Sequence, residues 1–295
     1  MFDGNEWPAR LQRGRAAAVV AVDPAQRPRY LALTMARMRL DALLAERGLA
    51  PSRTAAAALI RAGRVRVGRG EEIADKPGRS VDDDLHVRLE EGRRYVSRGG
   101  LKLEAALDQM AIDPTGLSCL DVGASTGGFS DCLLQRGAAR VIAVDVGRGQ
   151  LDWSLRNDER VTTLEGVNAR DLDPAMLPYA ADLAVVDVSF ISLTKLIGPI
   201  AACVAPEATI LAMVKPQFEL GKGRVKGGVV RDASERREAV SGVVAAAAEH
   251  DLAVRAATEA GVPGPKGNRE VFVRLERGAA TAAAERDALI EAAVA

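Results

Sequence analysis

The sequence predicts two folded parts: a small α+β domain and, after it, a larger α/β domain whose mainly parallel sheet is covered by helices on both faces. Three observations carry this expectation. From about residue 97 short apolar runs alternate with amphipathic stretches, the rhythm of a doubly covered parallel sheet. Residues 39 to 69 crowd seven arginines against two acids. The charge also divides: residues 1 to 100 hold 19 Lys and Arg against 13 Asp and Glu, and the rest of the chain holds 21 against 27. A basic module joined to an acidic one suits a protein that grips a polyanion with the first part and works on it with the second.

With 295 residues, 48% hydrophobic and 27% charged, the chain has ample material for a core. No run approaches the 18 or more apolar residues of a membrane span, and the N-terminus lacks the apolar stretch of a secretory signal, so a cytoplasmic protein without a membrane partner is expected. Cys119, Cys132 and Cys203 are an odd, widely spaced set with two histidines elsewhere, which reads as buried thiols rather than a metal centre or a disulfide framework.

Residues 1–37 show no sustained period and are expected to be a disordered extension, with Met35 and Met38 as alternative starts. Residues 38–92 form the basic module. Leu40, Leu43 and Leu44 recur at helical spacing up to Gly48; Ser52 caps a second helix whose apolar face holds Leu59 and Ile60, and Gly63 ends it. Two strands come next, Arg64–Val67 and Leu85–Leu89, with a KPG turn at 76–78 between them. Arg53, Arg61 and Arg64 are separated by near-whole numbers of helical turns, so the spacing predicts one arginine face able to grip phosphates.

After a linker at 93–97 comes the larger domain, 98–295. Strands are expected near 118–123, 140–146, 161–167, 182–188, 208–214, 252–259 and 270–276, with helices near 101–110, 127–137, 192–204, 232–249 and 281–293. Ligands of such sheets bind beyond the carboxyl ends of the strands. There "CLDVGASTGG" leaves the first strand at Asp121 and enters a helix near Gly127 without the G-x-G-x-x-G spacing of a dinucleotide turn. A carboxylate at that tip opposes a pyrophosphate but attracts the ammonium of an amino-acid cofactor, while Gly123, Ser125, Thr126 and Gly127 shape the close-approach turn. Asp145, ending the second strand, suits a ribose diol, and Asn168, after the third, an adenine. S-adenosylmethionine fits this set; a nicotinamide cofactor stays open, since an acid after the second strand serves its ribose too.

The reacting groups belong on the same rim. "VVDVSF" ends a strand at Asp187, "LAMVKPQFE" ends the next at Lys215, and Lys102 and Glu270 stand in "SRGGLKLE" and "GNREVF".

Two resemblances sharpen these readings. The pattern RLD-x-x-L, GLA-x-SR, LI-x-x-G-x-V-x-V and KPG resembles the alpha-L RNA-binding domain of a small-subunit ribosomal protein and many RNA-modifying enzymes. Residues 94 to 275, with "YVSRGGLKL", "LDVGASTGGF", "DVSFISL", "VKPQFE", "GGVVRD" and "GNREVF", resemble the TlyA-type ribosomal RNA methyltransferases, whose sequences also carry the name hemolysin. The resemblance implies a Rossmann-like methyltransferase fold with a seven-stranded sheet, S-adenosylmethionine as cofactor, no metal, and ribosomal RNA within a subunit as partner. It also implies ribose 2′-O-methylation of cytidine by the Lys-Asp-Lys-Glu tetrad of the related FtsJ group. By motif the tetrad falls on Lys102, Asp187, Lys215 and Glu270, with Lys215 as base or positioning group and Asp187 and Glu270 holding its geometry. Tyr95 stands where some relatives have a Trp tied to cofactor binding. The competing readings are a cytolysin, which explains only the inherited name, and a non-catalytic RNA-binding protein, which would have no need of the tetrad.

Overall fold

The computed structural model describes residues 37–61, 63–90, 94–221 and 223–295. The expected N-terminal extension, apart from Arg37, and Arg93 of the expected linker lie outside the described residues. The chain divides into two compact units, one ending at Glu90 and the other starting at Glu91.

In the first unit β1 (Arg37–Arg39) runs directly into α1 (Leu40–Glu46), and α2 (Arg53–Arg61) comes after it. Steps of three and four residues keep Leu40, Leu43 and Leu44 on one face of α1, where they pack with Ala56 and Ile60 of α2. The Ser52 hydroxyl accepts from the Ala55 amide at 3.1 Å and caps α2 as expected. Four strands complete the unit: β2 (Val65–Val67), β3 (Glu72–Ile73), β4 (Ser80–Asp82) and β5 (Val87–Leu89). They form a β3-β2-β5 sheet and a β1-β4 ladder. The sequence announced two of these five strands; β1, β3 and β4 have two or three residues each, too few for alternation to show.

The second unit contains α3 (Gly99–Gln109), β6 (Ser118–Val122), α4 (Gly128–Gln135), β7 (Arg140–Asp145), α5 (Trp153–Arg156), β8 (Val161–Glu165) and β9 (Ala181–Val186). It continues with α6 (Ile197–Ala202), β10 (Val204–Val214), α7 (Pro216–Glu219), α8 (Ala233–Ala248), β11 (Leu252–Glu259), β12 (Val271–Arg277) and α9 (Ala283–Val294). The seven strands stand in the order β11-β12-β10-β9-β6-β7-β8. Only β12, inserted between β10 and β11, runs antiparallel to both neighbours. One apolar layer fills one face of the sheet, from Leu120, Ile142 and Val186 to Val243 and Val273. A second fills the other, joining Leu103, Leu107, Phe129, Leu133 and Phe272.

The helix expected over 192–204 is shorter. Ser192 caps a single 3-10 turn over Leu193–Lys195, and the α-helix starts at Ile197. Pro199 decides this, because proline is tolerated only in a helix's first turn. Strand order reverses at β6: β7 and β8 lie on one side, β9 and β10 on the other. The carboxyl ends of β6 and β9 therefore form the switch-point crevice where open α/β sheets bind ligands.

Candidate active site

The β6–α4 turn forms one wall of this crevice. Gly123, at φ 88°, lies so close to the Asp187 carbonyl that a Cβ would overlap it, and a Cβ on Gly127, at φ 94°, would overlap Leu151 and Leu155. Both positions demand glycine twice over, for the left-handed backbone and for the space. Asp121 is fully buried. Its Oδ2 accepts from the Ser130 amide at 2.9 Å and the Ser130 hydroxyl at 2.7 Å, which ties the strand end to α4. Its Oδ1 has no partner. Burial pushes this carboxyl up to about 7, against the Ser130 hydrogen bonds and with the nearby charges of Asp187 and Asp145 adding to the rise.

Asp145 folds the turn onto β7: its Oδ2 accepts from the Ser125 amide at 2.8 Å and its Oδ1 from the Gly147 amide at 2.6 Å. Gln150 spans the space above it, its amide against Gly147 and its Oε1 3.5 Å from the Ser125 hydroxyl. Asn168 spends its amide oxygen capping a turn, accepting from the Arg170 amide at 3.1 Å, which leaves its nitrogen as the group that could meet an adenine. Thr126 is exposed, and its carbonyl accepts from the Asp152 amide. Tyr95 is buried against Gly100, packed so tightly that a Cβ there would overlap its ring.

The four charged rim residues meet as two ion pairs. Lys215 Nζ lies 2.5 Å from Asp187 Oδ1, an ion contact without aligned hydrogen-bond geometry, and donates to the Ser189 hydroxyl at 2.9 Å. Lys102 Nζ donates to Glu270 Oε2 at 2.5 Å. The expectation that Glu270 holds Lys215 is corrected to this extent: its bonded partner is Lys102, and its other oxygen has none. Sheet register joins the pairs. Val214 stands opposite Val271 in the antiparallel β10–β12 ladder, so the next positions outward, Lys215 and Glu270, are cross-strand neighbours. Val186 pairs with Ala212, which sets Asp187 beside the end of β10. Both lysines and Glu270 are buried, while the Asp187 side chain keeps 25% of its exposure.

Sequence reasoning missed the groups just outside these pairs. Phe190, 90% exposed and at φ 66°, lies three residues beyond Asp187, its ring centroid 5.0 Å from that of Phe218. An exposed aromatic with left-handed backbone is uncommon, and a Phe in a serine-rich rim segment was the available signal.

In the first unit Arg53 and Arg61 are exposed on α2. Arg64 is corrected: α2 ends at Arg61, and Arg64 lies past Gly63, where its guanidinium donates to the Glu90 carbonyl at 3.3 Å. Glycine's left-handed turn at residue 63 breaks the helical phase on which the three-arginine face depended.

The family model described as FtsJ-like methyltransferase matches residues 95–277, and the S4 domain model matches residues 38–86. The fold and the rim are thus those of an FtsJ-like methyltransferase carrying an S4 domain ahead of it. The 16S/23S rRNA (cytidine-2′-O)-methyltransferase TlyA of Mycobacterium tuberculosis is 49% identical over 245 residues, covering 81% of this chain and 90% of the relative. Hemolysin A of Brachyspira hyodysenteriae is 38% identical, covering 81% and 99%. A solved structure from Streptococcus thermophilus bearing a hemolysin name is 36% identical, covers 87% of this chain and 95% of that one, and has a TM-score of 0.65. The chain belongs to the TlyA family of methyltransferases.

Proposed function

We propose that this methyltransferase transfers a methyl group from S-adenosylmethionine to the 2′-oxygen of a cytidine in ribosomal RNA, presented within a ribosomal subunit in the cytoplasm. The observation that carries the reading is the meeting of Lys215–Asp187 and Lys102–Glu270 at the strand ends beside the Asp121 turn. The cofactor fits this turn: the unpartnered buried Asp121 Oδ1 is the acceptor its ammonium would satisfy, and glycine at 123 lets the turn lie against the Asp187 carbonyl at the crevice. Ser125, Thr126 and Gly127 would line it, and Asp145, each of whose oxygens keeps a second lone pair, would receive the ribose hydroxyls. When bound, the cofactor supplies a methyl already activated on a sulfonium.

A ribose hydroxyl is a poor nucleophile at neutral pH, so the protein must chiefly orient it and take its proton. Lys215, anchored by Asp187 and Ser189, orients the oxygen, and once its ammonium has given a proton to solvent the neutral amine accepts the proton of the hydroxyl. Glu270, from the neighbouring strand, and Lys102, from α3, form the second charge pair at the rim and fix the charge facing the oxygen. Phe190, exposed over this rim, offers a flat face on which an unstacked base can rest, as single-stranded RNA recognition requires. Arg53 and Arg61 of the S4 domain would hold phosphates and leave selection of the ribose to the rim.

Purified protein incubated with methyl-labelled S-adenosylmethionine and separate ribosomal subunits tests this. Label is expected in 2′-O-methylcytidine after complete nuclease digestion. Lys215→Ala should bind cofactor and RNA normally and lose on the order of 10²- to 10⁴-fold in kcat. Label in a base methyl, or unchanged turnover by Lys215→Ala, rejects the proposal.

A further inference from the structure

Two loops of the catalytic unit, GKGRVKGGVVR at 221–231 and VPGPKGNR at 262–269, hold six Lys and Arg and not one acid, although residues 101 to 295 together are acidic. Asn268, 2% exposed, clasps them: its Oδ1 accepts from the Val230 amide at 3.1 Å, and its Nδ2 donates to the Gly228 carbonyl at 2.8 Å. Both loops spring from the strand ends that carry the rim. The first comes after Lys215 and α7, and the second ends at Glu270, whose carboxylate fills the space where a Cβ on Gly264 would stand.

Neighbouring acids already neutralise two of these cations. Arg224 forms a fork with Glu238, and Arg269 one with Glu259 at 2.6 Å on both arms. Lys266 and Arg231 are exposed and have no ion-pair partner among the described residues. Lys266 reaches only the Gly227 carbonyl, at 3.5 Å. Its backbone is also left-handed, at φ 59° and ψ 15°, a conformation that costs a lysine free energy and a glycine almost none. The other left-handed positions of the two loops, 223, 227, 228 and 267, are all glycine. A lysine at the one left-handed position of these two loops that is not glycine points to a task for its side chain.

The geometry points to these clasped loops as a phosphate clamp for the RNA strand flanking the ribose at Lys215, with Lys266 and Arg231 as its charged contacts. The inference rests on the RNA-methylating reading above and adds a second backbone grip, on the catalytic unit itself. With Arg224 and Arg269 already paired, Lys266 and Arg231 are cations that these acid-free loops leave to meet phosphate oxygens. A strand so held on one side of the target nucleotide can present its ribose without being read for sequence.

The test uses the full chain with Lys266→Gly, Arg231→Gln and the double substitution. Affinity for purified ribosomal subunits is measured against salt, together with melting temperature and S-adenosylhomocysteine binding. Each single variant is expected to flatten the log–log salt slope by about one and to lose about tenfold in affinity near 0.1 M salt, and the double variant by about two. Cofactor affinity should stay constant, and Lys266→Gly should melt at the same or a higher temperature because the backbone strain is relieved. A variant that gains stability while losing RNA cannot owe the loss to misfolding. An unchanged slope in the double variant, with wild type still methylating subunits, overturns the clamp alone. A lower melting temperature in Lys266→Gly also overturns it, because the lysine would then serve the fold. Wild type that leaves the RNA unlabelled overturns the methyltransferase reading and the clamp with it.

Discussion

Asp121 shows how one position can be legible as chemistry and still be misjudged in its surroundings. A carboxylate at the tip of the first strand was readable, because strand ends of α/β sheets face the ligand crevice. That it would be sealed from solvent, one oxygen committed to Ser130, was not, since burial depends on the helix packed above it. The consequence is a pH dependence. The folded-state value near 7 lies above the ordinary 3.8, so the stability this group contributes is complete below about pH 3.8 and is lost as pH rises through about 7. Asp121→Asn removes the titration, and thermal melts of the cofactor-free protein should show the wild type losing stability relative to the variant between pH 4 and pH 7. Parallel curves would mean that Asp121 is ionised throughout. An ammonium at Oδ1 favours the charged form, so S-adenosylmethionine binding at pH 7 should also release a proton, seen as a calorimetric enthalpy that varies with the buffer's ionisation heat.

At the scale of elements, α2 carries the lesson in reverse. Its start at Ser52, its apolar face and its end near Gly63 were all visible in the sequence, since capping and helical spacing are local properties. The phase of Arg64 was not, because whether a helix continues through a glycine is settled by the contacts of the segment beyond it, here β2 and the Glu90 carbonyl. Phosphate binding by this element should therefore come from Arg53 and Arg61. Replacing both by Gln is expected to flatten the salt dependence of RNA affinity by up to about two units, and adding Arg64→Gln should change it little further. A titration of subunits against salt decides it: a third unit lost with Arg64 would restore the three-arginine face. The 3.6 Å approach of Arg53 to the buried Asp41 is no obstacle, since Arg39 already holds both oxygens of that carboxylate and the Arg53 guanidinium stays largely exposed.

At the scale of the whole molecule, the two units keep separate cores, one built on Leu40, Leu44 and Ile60, the other on the two faces of the seven-stranded sheet. Removing residues 1–92 should leave a catalytic unit that melts cooperatively and binds S-adenosylhomocysteine within about threefold of the full chain, roughly 0.6 kcal/mol, yet methylates subunits very poorly. Near-normal methylation by the truncated chain would show that the S4 domain is dispensable for substrate capture. The amino-acid sequence by itself determined the division into a basic module and an α/β enzyme unit, the seven strands and the longer helices of that unit, and the residue types standing at the strand ends. Periodicity, capping and turn chemistry act over a few neighbours and are written locally. Only the tertiary structure decided which charges pair. Lys102 and Glu270 stand 168 positions apart and meet because β12 inserts antiparallel beside β10, which carries Glu270 next to Lys215 and within reach of α3. It likewise exposed Phe190 and left Lys266 facing solvent in a strained turn. Burial, register and strain are properties of contacts between distant segments, and no local pattern encodes them.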